Sequence, residues 1–149
     1  MKITNRKFHR EYQEIEKYEV GISLTGPEVK SIRAGRMSLD DAFVKILDSG
    51  PYLINAQIQA YEFAKNDSYD PKRSRKLLMH KKELLRLKVK IAGGGALTLA
   101  PIACYNKGRL IKLEIALARG RKDLEKRKLE KNRDIKRNEK REAKEYIKF

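Results

Sequence analysis

The sequence has few of the residues on which disulfide-stapled, zinc-binding or membrane-spanning proteins depend. Cys104 is the only cysteine among 149 residues, which excludes an internal disulfide framework and a cysteine-ligated zinc knuckle and fits a reducing cytosol. Tryptophan is absent. No apolar run approaches the roughly 18 residues that a membrane-spanning helix needs, and no cleavable signal segment is visible. We therefore expect a cytoplasmic protein with a modest core and no membrane-spanning segment.

Acidic residues are also in short supply. Lysine and arginine number 36 against 20 aspartates and glutamates, so the net charge is +16 and the pI is about 10.0. In so short a chain this excess points to a polyanionic partner. Nucleic acid is the first candidate, and an anionic membrane surface is the second.

Groups suited to catalysis or metal binding are scarce. The two histidines, His9 and His80, lie beside basic residues, and the adjacent Asp40 and Asp41 have no third ligand in view. The glycine triplet at 93–95 lacks the lysine and hydroxyl residue of a phosphate-binding loop. We therefore predict a non-catalytic protein without metal or cofactor. An RNA-processing nuclease that uses Asp40, Asp41 or His80 remains an alternative.

The hydrophobic pattern is mainly that of antiparallel strands. Apolar and polar residues alternate with a period of two in five segments, at 18–24, 42–48, 52–58, 97–104 and 111–117. Turns are expected at Ser49-Gly50 and at residues 106–108, and short helices at 26–34 and 81–91. Without a βαβ rhythm, this order predicts a small closed antiparallel barrel of the OB type with short helices.

One short stretch, residues 70–80, concentrates positive charge. It reads D-P-K-R-S-R-K-L-L-M-H, and an ordered turn at Asp70-Pro71 precedes the charges while an apolar anchor follows them. Arginine forks match phosphate oxygens. We predict that this stretch grips a nucleic-acid backbone, although a solvated loop is the simpler alternative. Its candidate contacts are Lys72, Arg73, Arg75, Lys76 and His80.

The N-terminal arm and the first strand add further candidates. Residues 5–12 interleave cations such as Lys7 with aromatic rings, a composition that suits RNA because rings stack on bases while cations hold phosphates. Phe8 could instead fill the core. Glu19 is expected to face outward or into the barrel rim. Its carboxylate could accept hydrogen bonds from a base or a 2′-hydroxyl, or pair with a neighbouring lysine.

The composition changes after Gly120. Residues 121–149 carry 13 cations against 7 acids, and their sparse apolar residues form no continuous helical face that could dock along its length. Helix propensity is nevertheless good. We predict two parts, a barrel at 1–120 and a basic tail at 121–149 that is mostly disordered alone and helical against an anionic partner. The last four residues, 146–149, form either an apolar hook or a frayed end.

Four strings taken together resemble the small protein B family, which binds transfer-messenger RNA in bacterial trans-translation. The match runs from residue 5 into the tail. The strings are a relaxed N-R-K-x-H-x-x-Y at 5–12, L-T-G-P-E-V-K-S-I-R-A-G-R at 24–36, D-P-K-R-S-R-K-L-L-M-H at 70–80 and L-A-R-G-R-K-x-x-E-K-R at 117–127. This chain departs from the family pattern at Phe8, Pro27 and Glu125, where the family usually has a small residue, a threonine and an aspartate.

The resemblance implies an OB-type barrel that binds the elbow of the tRNA-like domain and is delivered with that RNA to stalled ribosomes. The barrel would replace the missing anticodon arm at the decoding centre, and the tail would enter the empty message channel as a helix. Family positions tied to RNA binding fall on Asn5, Glu19, Lys76, Leu78 and His80. The ribosome-engaging tail candidates are Arg121, Lys122, Lys126, Arg127, Lys131, Arg133 and Ile147.

Two other binding functions remain open on the residues alone. A structural ribosomal protein or a general RNA chaperone would carry a similar charge and a similar tail. We expect the free protein to be a monomer whose partners are transfer-messenger RNA and the small ribosomal subunit.

Overall fold

The computed structural model describes residues 1–65 and 68–147, the last two of them by their backbone alone, and it is mainly β. Nine strands and four helices follow one another along this part of the chain. The strands are β1 Lys2–Thr4, β2 Tyr12–Ile22, β3 Met37–Ser38, β4 Phe43–Leu47, β5 Gly50–Ile54, β6 Gln57–Ile58, β7 Arg75–Leu78, β8 Leu97–Lys107 and β9 Leu110–Gly120. The helices are α1 Phe8–Glu11, α2 Gly26–Arg33, α3 Lys81–Ala92 and α4 Asp123–Ile147.

Seven of the strands form one large antiparallel sheet. Their order is β1-β8-β4-β5-β7-β2-β9, and β9 pairs again with β8. The pairing between β4 and β8 is short, with Val44 opposite Leu99, whereas β8 and β9 pair along almost their full length. The strands β3 and β6 make a separate two-stranded sheet.

Strict alternation of apolar residues places the core on one face of this sheet. On β9, Leu113, Ile115 and Leu117 are buried, while Lys112 and Glu114 between them are partly exposed. A second cluster forms where Phe8 packs against small side chains, those of Ala100, Ala116 and Ala118. Phe8 is fully buried, so of its two expected roles the structure supports core filling.

The alternation expected over 52–58 does not run through the whole segment. Leu53 is fully buried, although the pattern had placed it on the face opposite Ala56 and Ile58. Asn55 has a φ of 66°, in the left-handed region, and this kink reverses which face points inward. Its Nδ2 donates to the Asp41 carbonyl at 3.1 Å, which supports the turn. The single expected strand is therefore two strands, β5 and β6.

The helix expected at 26–34 is present and is capped as its sequence predicts. The Thr25 side chain accepts from the Glu28 amide, and the Glu28 carboxylate accepts from the Thr25 amide at 3.0 Å. Gly35 follows with a φ of 77° and ends the helix. Ile32 is buried against the sheet, so Lys30 and Arg33 lie on the solvent side.

The basic stretch at 70–80, for which the sequence predicts a turn followed by an apolar anchor, contains a strand. The strand β7 pairs with β5 on one side and β2 on the other. Alternate residues of a strand face opposite ways. Consequently Arg75 and Leu77 are buried, while Lys76 and Leu78 are exposed. The helix α3 begins directly afterwards, as expected.

The tail forms the helix α4, which contacts the rest of the chain only near its start among the described residues. The Arg121 amide donates to the Glu11 carbonyl at 2.8 Å, and Arg10 and Lys126 make ion pairs between α1 and α4. From Lys131 to Glu145 the side chains are exposed. The helices described here include none that is both long and apolar enough to cross a membrane.

Candidate nucleic-acid interface

The strands β2 and β7 bring three of the sequence-predicted RNA contacts to one cavity. A shallow cavity of about 300 Å³ lies where these strands meet the start of α3. Its lining contains the predicted residues Glu19, Leu78 and His80, although they are up to 61 positions apart in the sequence. The remaining lining residues are Gly21, Met79, Glu83 and Lys112.

Glu19 is one of two acidic residues that line this cavity, the other being Glu83. The Glu19 carboxylate accepts a hydrogen bond from the Tyr105 hydroxyl and another from Lys107 Nζ at 2.9 Å. The Lys107 and Tyr105 hydrogen bonds lower the pKa of Glu19, so the group stays ionised well below neutral pH. A carboxylate has about four lone-pair sites, so Glu19 retains acceptor capacity for a base N–H or a 2′-hydroxyl.

Leu78 places an apolar side chain in the cavity that Glu19 also lines. It lies opposite Gly21 in the β2–β7 pairing and is 58% exposed. A Cβ added at Gly21 would approach Leu78 Cβ to 3.2 Å, so a glycine is what lets the leucine lie across β2. An exposed apolar side chain between polar groups suits contact with a sugar or a base face.

Two lysines and a histidine lie around the same surface. Lys76 is exposed two residues before Leu78 on β7, so the two side chains share a face. His80 is the exposed N-cap residue of α3, and its side chain makes no capping bond within the described part of the chain. Lys112 on β9 completes the cavity. Together Lys76 and Lys112 present cations, and His80 an imidazole ring, around the Glu19 carboxylate and the Leu78 side chain.

Arg75 has a different place from the one predicted. Its side chain is fully buried and cannot grip an RNA backbone in this structure. Its Nε donates to Glu28 at 2.7 Å and its Nη1 to the Ala56 carbonyl at 2.8 Å. Its Nη2 donates to the Tyr69 hydroxyl and the Pro71 carbonyl, both at 3.1 Å. Arg75 therefore fastens residues 69–71 to the core, because the strand turns it inward.

Glu28 is the buried partner of this arginine. Burial by itself raises its pKa, but hydrogen bonds from the Thr25 amide, Arg73 and Arg75 outweigh that effect and bring the pKa to about 2. Arg73 is part-exposed and shares the carboxylate. Glu28 therefore holds the Arg73 guanidinium, although the Arg73 side chain stays partly exposed. The neighbouring Lys72 is exposed.

The two N-terminal candidates lie apart from the cavity. Asn5 is 8% exposed and donates from Nδ2 to the Pro101 carbonyl at 2.9 Å, which fixes the entry to α1. Lys7 is exposed, and its Nζ lies 3.4 Å from Asp41 Oδ1. The structure does not bring either residue to Glu19, so they mark a second location near α1.

The tail candidates divide into anchored and exposed groups. Arg121 Nε donates to the His9 carbonyl at 3.0 Å and the Tyr12 carbonyl at 3.2 Å, and Lys126 pairs with Glu11 at 2.8 Å. These two residues hold α4 to α1. The side chains of Lys122, Arg127, Lys131 and Arg133 are exposed. The side chain of Ile147 and the hook expected at the chain end lie outside the described residues.

No group of three potential metal ligands occurs among residues 1–65 and 68–147. The Asp40 amide donates to Ser38 Oγ at 3.3 Å in a local turn contact. Cys104 is buried, and burial raises its pKa to about 12, so the thiol stays protonated and unreactive.

Sequence reasoning missed three members of the interface. Lys112 lines the cavity, while Tyr105 and Lys107 hold Glu19 from β8. The alternation on β9 already implied that Lys112 faces outward, like Glu19. The partnership with β8 could not be found that way, because it depends on which strands are neighbours.

Comparison with known proteins gives one consistent family. A family model described as SmpB protein matches residues 2–145. The SsrA-binding protein of Sulfurihydrogenibium sp. is 48% identical over 90% of this chain and 88% of its own. That of Chlorobaculum tepidum is 46% identical over 97% of this chain and 92% of its own.

A solved structure agrees with these relatives. It is described as "tmRNA-SmpB: a journey to the center of the bacterial ribosome", and one of its chains superposes with a TM-score of 0.67 at 41% identity. The match covers 82% of this chain and 85% of that one. With the family model spanning nearly the whole chain, this protein belongs to the SmpB family.

Proposed function

We propose that this protein binds the tRNA-like domain of transfer-messenger RNA and carries it to stalled ribosomes for trans-translation. The observation that carries the proposal is the cavity between β2 and β7, which gathers Glu19, Leu78 and His80 in a chain of net charge +16. Relatives named for SsrA binding share nearly its full length. Its role is delivery and positioning, without a catalytic step.

We interpret the ring of pairings from β8 through β4, β5, β7, β2 and β9 as an OB-type barrel at residues 1–120, with a tail at 121–149. Such a barrel offers a curved sheet face to an oligonucleotide. The acceptor, apolar group and cations around the cavity suit a folded RNA, whose elbow displays sugars, splayed bases and phosphates together. Lys72 and Arg73 extend the positive surface next to β7, and Lys7 would contact the RNA at the second location near α1, where the buried Asn5 positions the chain.

In the same proposal the tail reaches the message channel of the small subunit near the decoding centre. The exposed cations of α4 meet ribosomal RNA phosphates there without reading a base sequence. Arg121 and Lys126 act indirectly, because they set the direction in which α4 leaves α1. Ile147 would sit at the far end of the helix.

Recovery of bound RNA tests this function. Tagged protein purified from cells is expected to carry one small RNA, identified by sequencing, and to leave ribosomes at high salt. Lys112→Ala and Glu19→Ala should each reduce that recovery, while Lys45→Ala, an exposed cation on β4, should leave it unchanged. Retention on ribosomes at high salt with no small RNA would favour a structural ribosomal protein, and a broad mixture of RNAs would favour a general chaperone.

A further inference from the structure

An aromatic pair lies on the surface away from the β2–β7 cavity, in the loop after β6. Phe63 is 80% exposed, which is unusual for so large an apolar ring. Its ring centre is 5.5 Å from that of Tyr61, with the ring planes 68° apart. We refer to residues 61–65 as the aromatic loop. None of the residues that line the β2–β7 cavity belongs to it.

The aromatic loop is held in shape by local contacts. The Ala64 amide donates to the Tyr61 carbonyl at 3.1 Å, and the Gln59 amide just before the loop donates to the Arg36 carbonyl at 3.1 Å. Lys30 Nζ lies 5.3 Å from the centre of the Tyr61 ring, a cation–π distance. Contacts to α2 and to the segment after it therefore present Phe63 on an ordered support.

The charges around Phe63 favour a nucleic acid over an apolar protein surface. Lys30, which lies over the Tyr61 ring, and Lys65, two residues after Phe63, are both exposed, and Arg36 Nη2 lies 3.6 Å from Glu62 Oε2. Covering Phe63 with an apolar protein surface would remove these cations from water without giving them partners. An unpaired base can lie on the ring while its phosphates approach the lysines.

We propose that Phe63 is a stacking platform for an unpaired base of bound RNA, with Lys30 and Lys65 contacting the adjoining phosphates. This rests on the proposed function in so far as the ligand is RNA. It adds a second contact region, on the α2 side of the molecule, to the surface built on β2 and β7. Tyr61 supports the Phe63 ring from its edge.

The absence of tryptophan makes a direct optical test possible. In the full-length Phe63→Trp variant the new ring is the only indole, and stacking on a base quenches its emission. We expect quenching by transfer-messenger RNA and by a single-stranded oligoadenylate. The matched control is Leu85→Trp, at a 62% exposed apolar position on α3, which should be quenched far less. Equal quenching of the two variants, or quenching of neither, overturns the proposal, as does a change caused only by ribosomal proteins.

Affinity gives a second readout that separates this proposal from the proposed function. Phe63→Ala should weaken binding of transfer-messenger RNA by about 5- to 100-fold, because it removes one base–aromatic stack. Phe63→Tyr keeps an aromatic face and should bind with the affinity of the unchanged protein. If the unchanged protein binds no structured RNA, the proposed function fails. If the unchanged protein and Phe63→Ala bind equally well, only the stacking platform is wrong.

Discussion

Arg75 and Lys76 are adjacent cations with opposite environments. Arg75 is sealed against Glu28, and Lys76 is exposed on the face that carries Leu78. We expect Arg75→Ala to lower the free energy of unfolding by about 3–5 kcal/mol, because it leaves the Glu28 carboxylate buried with fewer partners. Lys76→Ala should change that free energy by less than about 0.5 kcal/mol. Urea denaturation followed by circular dichroism measures both.

The same two variants differ in RNA binding. Lys76→Ala should weaken binding and reduce the slope of log affinity against log salt by about 0.7–0.9, the share of one phosphate contact. Under conditions where Arg75→Ala is folded, the slope of its log affinity against log salt should equal that of the unchanged protein. An Arg75→Ala protein of unchanged stability would show that the buried network does not hold residues 69–71.

The Glu28 carboxylate makes the free energy of unfolding depend on pH in the acidic range. Its pKa is about 2 in the folded protein against an ordinary value of 4.5, so its contribution is complete above pH 4.5 and is lost as the pH falls towards 2. At 1.36 kcal/mol per pKa unit the loss is about 3 kcal/mol. Thermal unfolding between pH 5 and pH 2.5 should show it. Glu28→Gln, which cannot titrate, should flatten this part of the curve, and an equally steep curve for that variant would assign the loss to other groups.

For single residues, the sequence predicted which side chains face outward wherever its alternation of apolar and polar residues identified a strand. Glu19 was expected on the outer face of β2 and lies there. Arg75 was expected at the surface and is buried, because four charged residues in five positions hid the period-two pattern of β7. A charged side chain can occupy an inward position only when a partner such as Glu28 is brought to it, and the sequence does not show that partner.

Among the elements, α1 and α4 form a junction built from polar contacts. Lys126 pairs with Glu11 and Arg10 with Glu130, at side chains that are between 21% and 49% exposed. Such pairs are worth roughly 0.2–1 kcal/mol each. We expect Glu11→Lys to loosen the start of α4 and to raise the rate of tryptic cleavage after Lys122, followed by mass spectrometry.

A charge swap provides the control for this junction. The double variant Glu11→Lys with Lys126→Glu restores the opposite charges and should return the cleavage rate after Lys122 towards that of the unchanged chain. Equal cleavage in all three proteins would mean that the backbone bonds made by Arg121 hold the junction without the ion pairs.

Beyond this junction the helix α4 has little tertiary support. Its exposed surface offers no apolar stripe to pack, and isolated helices of this kind are marginal in water. Disorder of the tail in the free protein therefore stays a prediction. The difference in circular dichroism between the full chain and one ending at Gly120 should show little helix in buffer and a gain on adding ribosomal RNA. A full 25-residue helical signal without RNA would contradict it.

At the scale of the whole molecule, we propose that RNA binding and ribosome engagement belong to separate parts of the chain. Truncation after Gly120 should leave the affinity for transfer-messenger RNA within about twofold, since the truncation removes neither the β2–β7 cavity nor the aromatic loop; peptide tagging on stalled ribosomes should be abolished. Filter binding and a tagging assay in extract measure the two. If truncation removed RNA binding as well, the division between barrel and tail would be wrong.

The sequence by itself determined the charge, most of the strands and helices, the change of composition at Gly120 and the family, because these depend on local pattern and on strings of neighbouring residues. The tertiary structure alone decided that β7 is a strand between β5 and β2, that Arg75 faces Glu28, and that Lys112, Tyr105 and Lys107 complete the surroundings of Glu19. Such contacts join residues far apart in the chain. They exist only once the strands have paired, and pairing is a property of the whole sheet that no single segment carries.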